Sequence, residues 1–111
     1  VIAKELAAEI RAALVKQNIT DECVCCVFHS GSEDKFSIAE VDSDGDTVSI
    51  YYDCDFIDGL NTAEVLAILD IYEGQSVRVI DGLTMEYEDN KICVDDCLGT
   101  SIDINISWGE E

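Results

Sequence analysis

Between Glu40 and Asp58 the chain places seven carboxylates, at every second position from 40 to 46. Glu40, Asp42, Asp44 and Asp46 are followed by Asp53, Asp55 and Asp58, and no lysine or arginine interrupts them. Oxygen ligands at odd spacing are what a calcium loop uses. An EF-hand takes acids at positions 1, 3 and 5, glycine at 6 and a bidentate glutamate at 12. Counted from Asp42, the acids fall at the first three of those positions. Thr47 then stands where the glycine belongs, and Asp53, one methylene short of glutamate, stands at the last. The intervening TVSIYY is strand-forming, and no helical pattern flanks it.

The cysteines offer a second chemistry. Cys23 and Cys26 are spaced C-x2-C, Cys93 and Cys97 are spaced C-x3-C, and four such thiolates could hold zinc. Against this, CVCCV is an apolar run without the turn residues that orient a zinc knuckle, and neutral buried cysteine is a common core residue. Cys25 and Cys54 read as core, and a structural disulfide is the other alternative. His29, the only histidine, precedes Ser30 and Gly31 in a turn. Paired with Cys23 or Cys26 it could activate a thiol, but neighbours along a strand point to opposite faces. Acid pairs are too numerous to mark a general acid and base. No catalytic signature stands out, and no cofactor or catalytic residue is assigned.

The elements that must carry these groups are legible in the hydrophobic pattern. Ile2, Leu6, Ile10 and Leu14 recur every four residues and predict an amphipathic helix over Val1–Gln17, ended by the Asn18–Glu22 stretch. Val24–Phe28 reads as a buried strand. Lys35–Asp42 and Asp46–Cys54 read as a hairpin around Asp44-Gly45, a pair suited to a type I′ turn. That register sets Val41 opposite Val48, Ala39 opposite Ile50 and Ser37 opposite Tyr52. Asn61, with Glu64 three residues on, opens a second helix whose buried side is Val65, Leu66, Ile68, Leu69 and Tyr72, with Gly74 as its stop. Ser76–Ile80, Leu83–Glu88 and Lys91–Asp95 follow as strands. The last two form an expected hairpin in which Glu88 faces Lys91. Ile102, Ile104, Ile106 and Trp108 alternate with polar residues in a final strand. The expected fold is α+β: an N-terminal helix, antiparallel sheet of about six to seven strands in one or two sheets, and one central helix, all in a single domain spanning 1–111.

Charge bounds the function. There are 25 acidic residues against 6 basic ones, a net charge of −19. The first eighteen residues hold three bases and two acids, so the remainder carries the whole excess. Such a field repels nucleic acid and anionic membranes and attracts basic proteins. No apolar run reaches the roughly 20 residues of a membrane span, and no signal-peptide pattern opens the chain. A cytoplasmic setting with reduced thiols is the expectation.

A row of carboxylates two residues apart on a strand repeats at about 6.6 Å and can present a line of negative charge as a phosphate backbone does. A second acidic group comprises Asp81, Glu86, Glu88, Asp89, Asp95 and Asp96. In size, charge and α+β order, with the acid-studded segments EVDSDGD, DCDFIDG and MEYEDN, the chain resembles the small acidic inhibitors of phages and plasmids. These include anti-CRISPR and anti-restriction DNA mimics, nuclease immunity proteins and antitoxins. The resemblance implies a non-enzymatic inhibitor occupying the Lys/Arg groove of a nuclease or CRISPR effector, in the host cytoplasm if phage-encoded. Partner-binding residues would be Glu40, Asp42, Asp44, Asp46, Asp53, Asp55, Asp58, Glu86, Glu88 and Asp89, with Tyr51, Tyr52 and Phe56 as candidate apolar anchors. The alternatives are an immunity protein or antitoxin of a basic nuclease, a calcium- or zinc-binding module, and a halophilic structural domain.

Overall fold

A computed structural model describes residues 1–29, 34–53, 59–81, 90–96 and 98–106. Along these the chain runs α1 (Ala3–Gln17), β1 (Val24–His29), β2 (Phe36–Asp44), β3 (Thr47–Asp53), α2 (Thr62–Ile71), β4 (Ser76–Asp81), β5 (Asn90–Asp95) and β6 (Ser101–Asn105). The fold is α+β. Its six strands form one mixed, mostly antiparallel sheet in the order β4-β3-β2-β1-β5-β6. The predicted strand Leu83–Glu88 lies outside the described residues. Its expected hairpin with Lys91–Asp95 lies outside them too; the described β5 pairs with β1 on one side and β6 on the other.

The periodic apolar stripe of α1 buries Ala3, Leu6, Ala7, Ile10 and Leu14. Asn18, in the left-handed region at φ 57°, closes the helix. Val1 and Ile2, expected within the helix, precede it. Val77 N–H donates to the Val1 carbonyl at 3.0 Å, and Ile2 bridges Ser76, so the N-terminus lies against the start of β4. In α2 the predicted capping box is present: Asn61 Oδ1 accepts from Glu64 N–H at 2.9 Å, and Glu64 Oε1 accepts from Asn61 N–H at 3.0 Å. The helix buries Thr62, Val65, Leu66 and Leu69, while Ile68 and Tyr72 are half-buried. Tyr72 rather than Gly74 ends it, and Gly74 has no positive φ.

Both helices lie on one face of the sheet, α1 against α2 and β6, α2 against β1. Cys25, Val27, Ile38, Val48, Ile50, Tyr52, Val77, Val79, Ile92, Val94 and Ile104 meet the helical stripes there and form the core. Alternation then sends the residues between them to the opposite face. The single parallel contact, β3 with β4, is reached through α2, since parallel neighbours need a crossover rather than a tight turn. No helix among the described residues is long and apolar enough to cross a membrane.

Candidate acidic docking surface

The β2–β3 hairpin turns one residue later than its sequence suggests. Asp44 pairs with Thr47, leaving Gly45 and Asp46 as the loop. Only Gly45 has a positive φ, 69°, among the loop residues, which is the sign pattern of a type II′ turn rather than type I′. Val41 therefore faces Ile50 and Ser43 faces Val48. The register shifts again between Ile38 and Glu40, where the bulge takes up Ala39. The shift lets both Val41 and Ile38 reach the core, with Ile38 opposite Tyr52, and leaves Ala39 exposed.

The same register puts Glu40, Asp42 and Asp44 on the face away from the helices, opposite Tyr51, Ser49 and Thr47. All three acids are exposed, and Asp46 is exposed at the turn. Asp53, also exposed, stands opposite Ser37 at the far end of β3. The hairpin tip is held in place. Ser76 N–H donates to the Asp46 carbonyl at 3.1 Å, and Ser43 Oγ lies 2.7 Å from Gln75 Oε1 as its donor. One Asp42 oxygen accepts the Ser43 N–H at 2.9 Å, which orients that carboxylate.

Two features of this surface are not visible in the linear sequence. The acid run contains no base, but β4 brings one beside it: Arg78 is aligned with Ser49, which is aligned with Asp42. The row is thus flanked by an exposed guanidinium. Tyr51 is half-buried on the acidic face and can serve as an apolar anchor, whereas Tyr52 is buried and lies 5.4 Å from the Phe36 ring. Tyr52 therefore belongs to the core.

Asp55, Phe56, Asp58, Glu86, Glu88 and Asp89 lie outside the described residues, as do Cys54 and Cys97. In the second acidic group, Asp95 forms an ion pair with Lys35 at 3.0 Å. Asp96 accepts the N–H groups of Leu98 at 2.8 Å and Thr100 at 3.0 Å, closing the turn between β5 and β6. These two carboxylates have structural partners that composition could not reveal.

Of the proposed zinc ligands, Cys26 and Cys93 are brought together, directly opposite on β1 and β5. Cys23 instead sits against the core, its sulfur 3.7 Å from Thr20 Oγ1. Cys25 points into the core, and burial drives its thiol far above the usual range. The calcium segment is a paired hairpin rather than a coordinating loop. Among the described residues no three His, Cys, Asp or Glu side chains converge as a metal site.

What the arrangement can do chemically is present three outward carboxylates at about 6.6 Å intervals on a rigid hairpin, with a fourth at its tip. No family model, no curated protein and no solved structure matches the chain.

Proposed function

We propose that the protein is an acidic binding protein that occupies a basic, nucleic-acid-binding groove of a protein partner, acting as an inhibitor rather than an enzyme. The observation that carries this reading is the exposed row Glu40, Asp42 and Asp44, continued by Asp46, on a hairpin whose tip is tied to β4. A fixed tip spares the partner the entropic cost of ordering it. The net charge of −19 steers encounter with a cationic surface. Exposed ion pairs are worth only about 0–1 kcal/mol each, so affinity also requires desolvated apolar contact, for which Tyr51 is placed beside Glu40.

The test is capture of basic proteins from a bacterial lysate at low salt, elution by a salt gradient, and competition of the captured protein with nucleic acid. Replacing Asp42, Asp44 and Asp46 together by asparagine keeps side-chain size while removing three charges. Capture by the triple variant should weaken at least about tenfold, with a shallower dependence on salt. Undiminished capture, or a captured partner that binds nucleic acid simultaneously, would overturn the reading.

A further inference from the structure

The sheet face away from the helices carries a row of chemistry outside the acidic hairpin. At one level across four strands stand Ser37, Cys26, Cys93 and Asp103, aligned by successive register pairs. Cys26 and Cys93 are 1% and 0% exposed and lie on the face away from α1 and α2. Asp103 stands opposite Cys93 on β6 and adds to the effect of burial in holding its thiol up. Lys35, held by Asp95 at 3.0 Å, is near enough for its charge to bear on both sulfurs.

The type of ladder site follows from parity. Cys25 N–H donates to the Leu60 carbonyl, and Val27 pairs with Phe36, so these residues direct their backbone groups away from β5. Cys26 therefore directs its own toward β5, and Cys26–Cys93 is a hydrogen-bonded pair. Such pairs hold their Cα atoms about 5.5 Å apart, within the range that disulfides span. Their Cβ atoms are wider apart than in a non-hydrogen-bonded pair. The bond needs a small local closure of the two strands, and a bond so formed is readily reduced.

We propose that Cys26 and Cys93 form a reversible cross-strand disulfide, a redox-sensitive staple across the centre of the sheet, with a small peroxide as oxidant. The ionised sulfur of one cysteine attacks a peroxide oxygen and breaks the O–O bond, leaving a sulfenic acid and releasing water once protonated. The second thiol then displaces the sulfenic oxygen as water and gives up its proton. Two thiols and one hydrogen peroxide become one disulfide and two waters. A peroxide, scarcely larger than water, suits so enclosed a site better than a bulky disulfide reagent. Burial holds the Cys93 thiol above its usual range, with Lys35 opposing, so oxidation accelerates as the pH is raised.

The experiment treats the folded protein with hydrogen peroxide at pH 7 and pH 9, while circular dichroism monitors the fold. Proteolysis at acid pH and mass spectrometry then locate the linkage. The expected result is a linked peptide containing Cys26 and Cys93, lighter by two hydrogens, formed faster at pH 9 and undone by dithiothreitol. Its formation should raise the thermal midpoint. Cys26→Ser and Cys93→Ser should each abolish the linkage and that rise, and either variant alone suffices if the other does not fold. Both thiols surviving in the folded protein while the urea-unfolded chain oxidises would overturn the proposal. So would prior linkage of any other cysteine pair.

Discussion

Gly59 and Ser37 show how little room the sheet leaves at one point. A Cβ built on Gly59 would collide with Ser37 Cβ, part of a residue with no exposed surface. The next residue, Leu60, donates its N–H to the Ile38 carbonyl at 2.7 Å and accepts from Cys25 N–H at 3.2 Å. It thereby bridges β1 and β2 where their direct pairing has ended, and Gly59 cannot retreat without disturbing both bonds. Gly59→Ala should destabilise the fold by about 1–3 kcal/mol, the usual cost of overpacking, read as a lower urea midpoint at unchanged slope. An unaltered midpoint would mean that the 59–60 segment yields easily. Nothing in the sequence marks this glycine: the acidic run ends there, and the contact that demands it lies 22 residues away. The same holds for Lys35 and Asp95, whose 60-residue separation hides their ion pair.

At the scale of elements, what was legible was local. The Asn61–Glu64 reciprocal cap depends on four consecutive residues, and the sequence spacing predicts it outright. Asn61→Ala should remove about 1 kcal/mol of stability, and Asn61→Asp should largely retain it, both measurable by urea titration. The α1 stripe and the alternation of β6 are local in the same sense. The hairpin register was only half legible, because two choices of equal local merit compete. An Asp44-Gly45 turn satisfies glycine preference as well as Gly45-Asp46 does, and the outcome is decided where β4 begins: Ser76 ties the Asp46 carbonyl, and Gln75, just before the strand, accepts from the Ser43 hydroxyl. The bulge at Ala39 then corrects the facing of Ile38. The partners of β5 were illegible for a further reason. Local pattern favours a neighbour close in sequence, and β1, the apolar strand that pairs with β5, lies more than 60 residues earlier. Sheet order is a property of the assembled core, and short-range pattern carries no information about it.

At the scale of the whole molecule, 19 net negative charges share 6270 Å² of accessible surface, about one per 330 Å². Their distribution is polar. Three of the six bases, Lys4, Arg11 and Lys16, lie on α1, where Arg11 grips Asp70 of α2 through both guanidinium nitrogens, one at 2.9 Å. This pair draws the two helices together and holds the Asp70 carboxyl below its usual range. It is half exposed, so its worth is no more than about 0.2–1 kcal/mol. The hairpin row on the opposite face has Arg78 as its base in register, and its carboxylates repel one another along β2. Repulsion of this kind is screened over about 8–10 Å at 0.1–0.15 M salt, a distance longer than the spacing along the row. Salt therefore has opposite effects on the two faces: it loosens the Arg11–Asp70 pair and relieves the acidic row. Because the acids greatly outnumber the bases, relief dominates, and raising sodium chloride from 0.02 to 0.5 M should increase the thermal midpoint. The Asp42, Asp44 and Asp46 to asparagine variant should be more stable than the parent at low salt and should gain less from added salt, since it begins with three fewer like charges. A parent midpoint that is flat or falls with salt would show that the carboxylates are already compensated in the folded state, which would also remove the electrostatic basis for docking to a cationic groove.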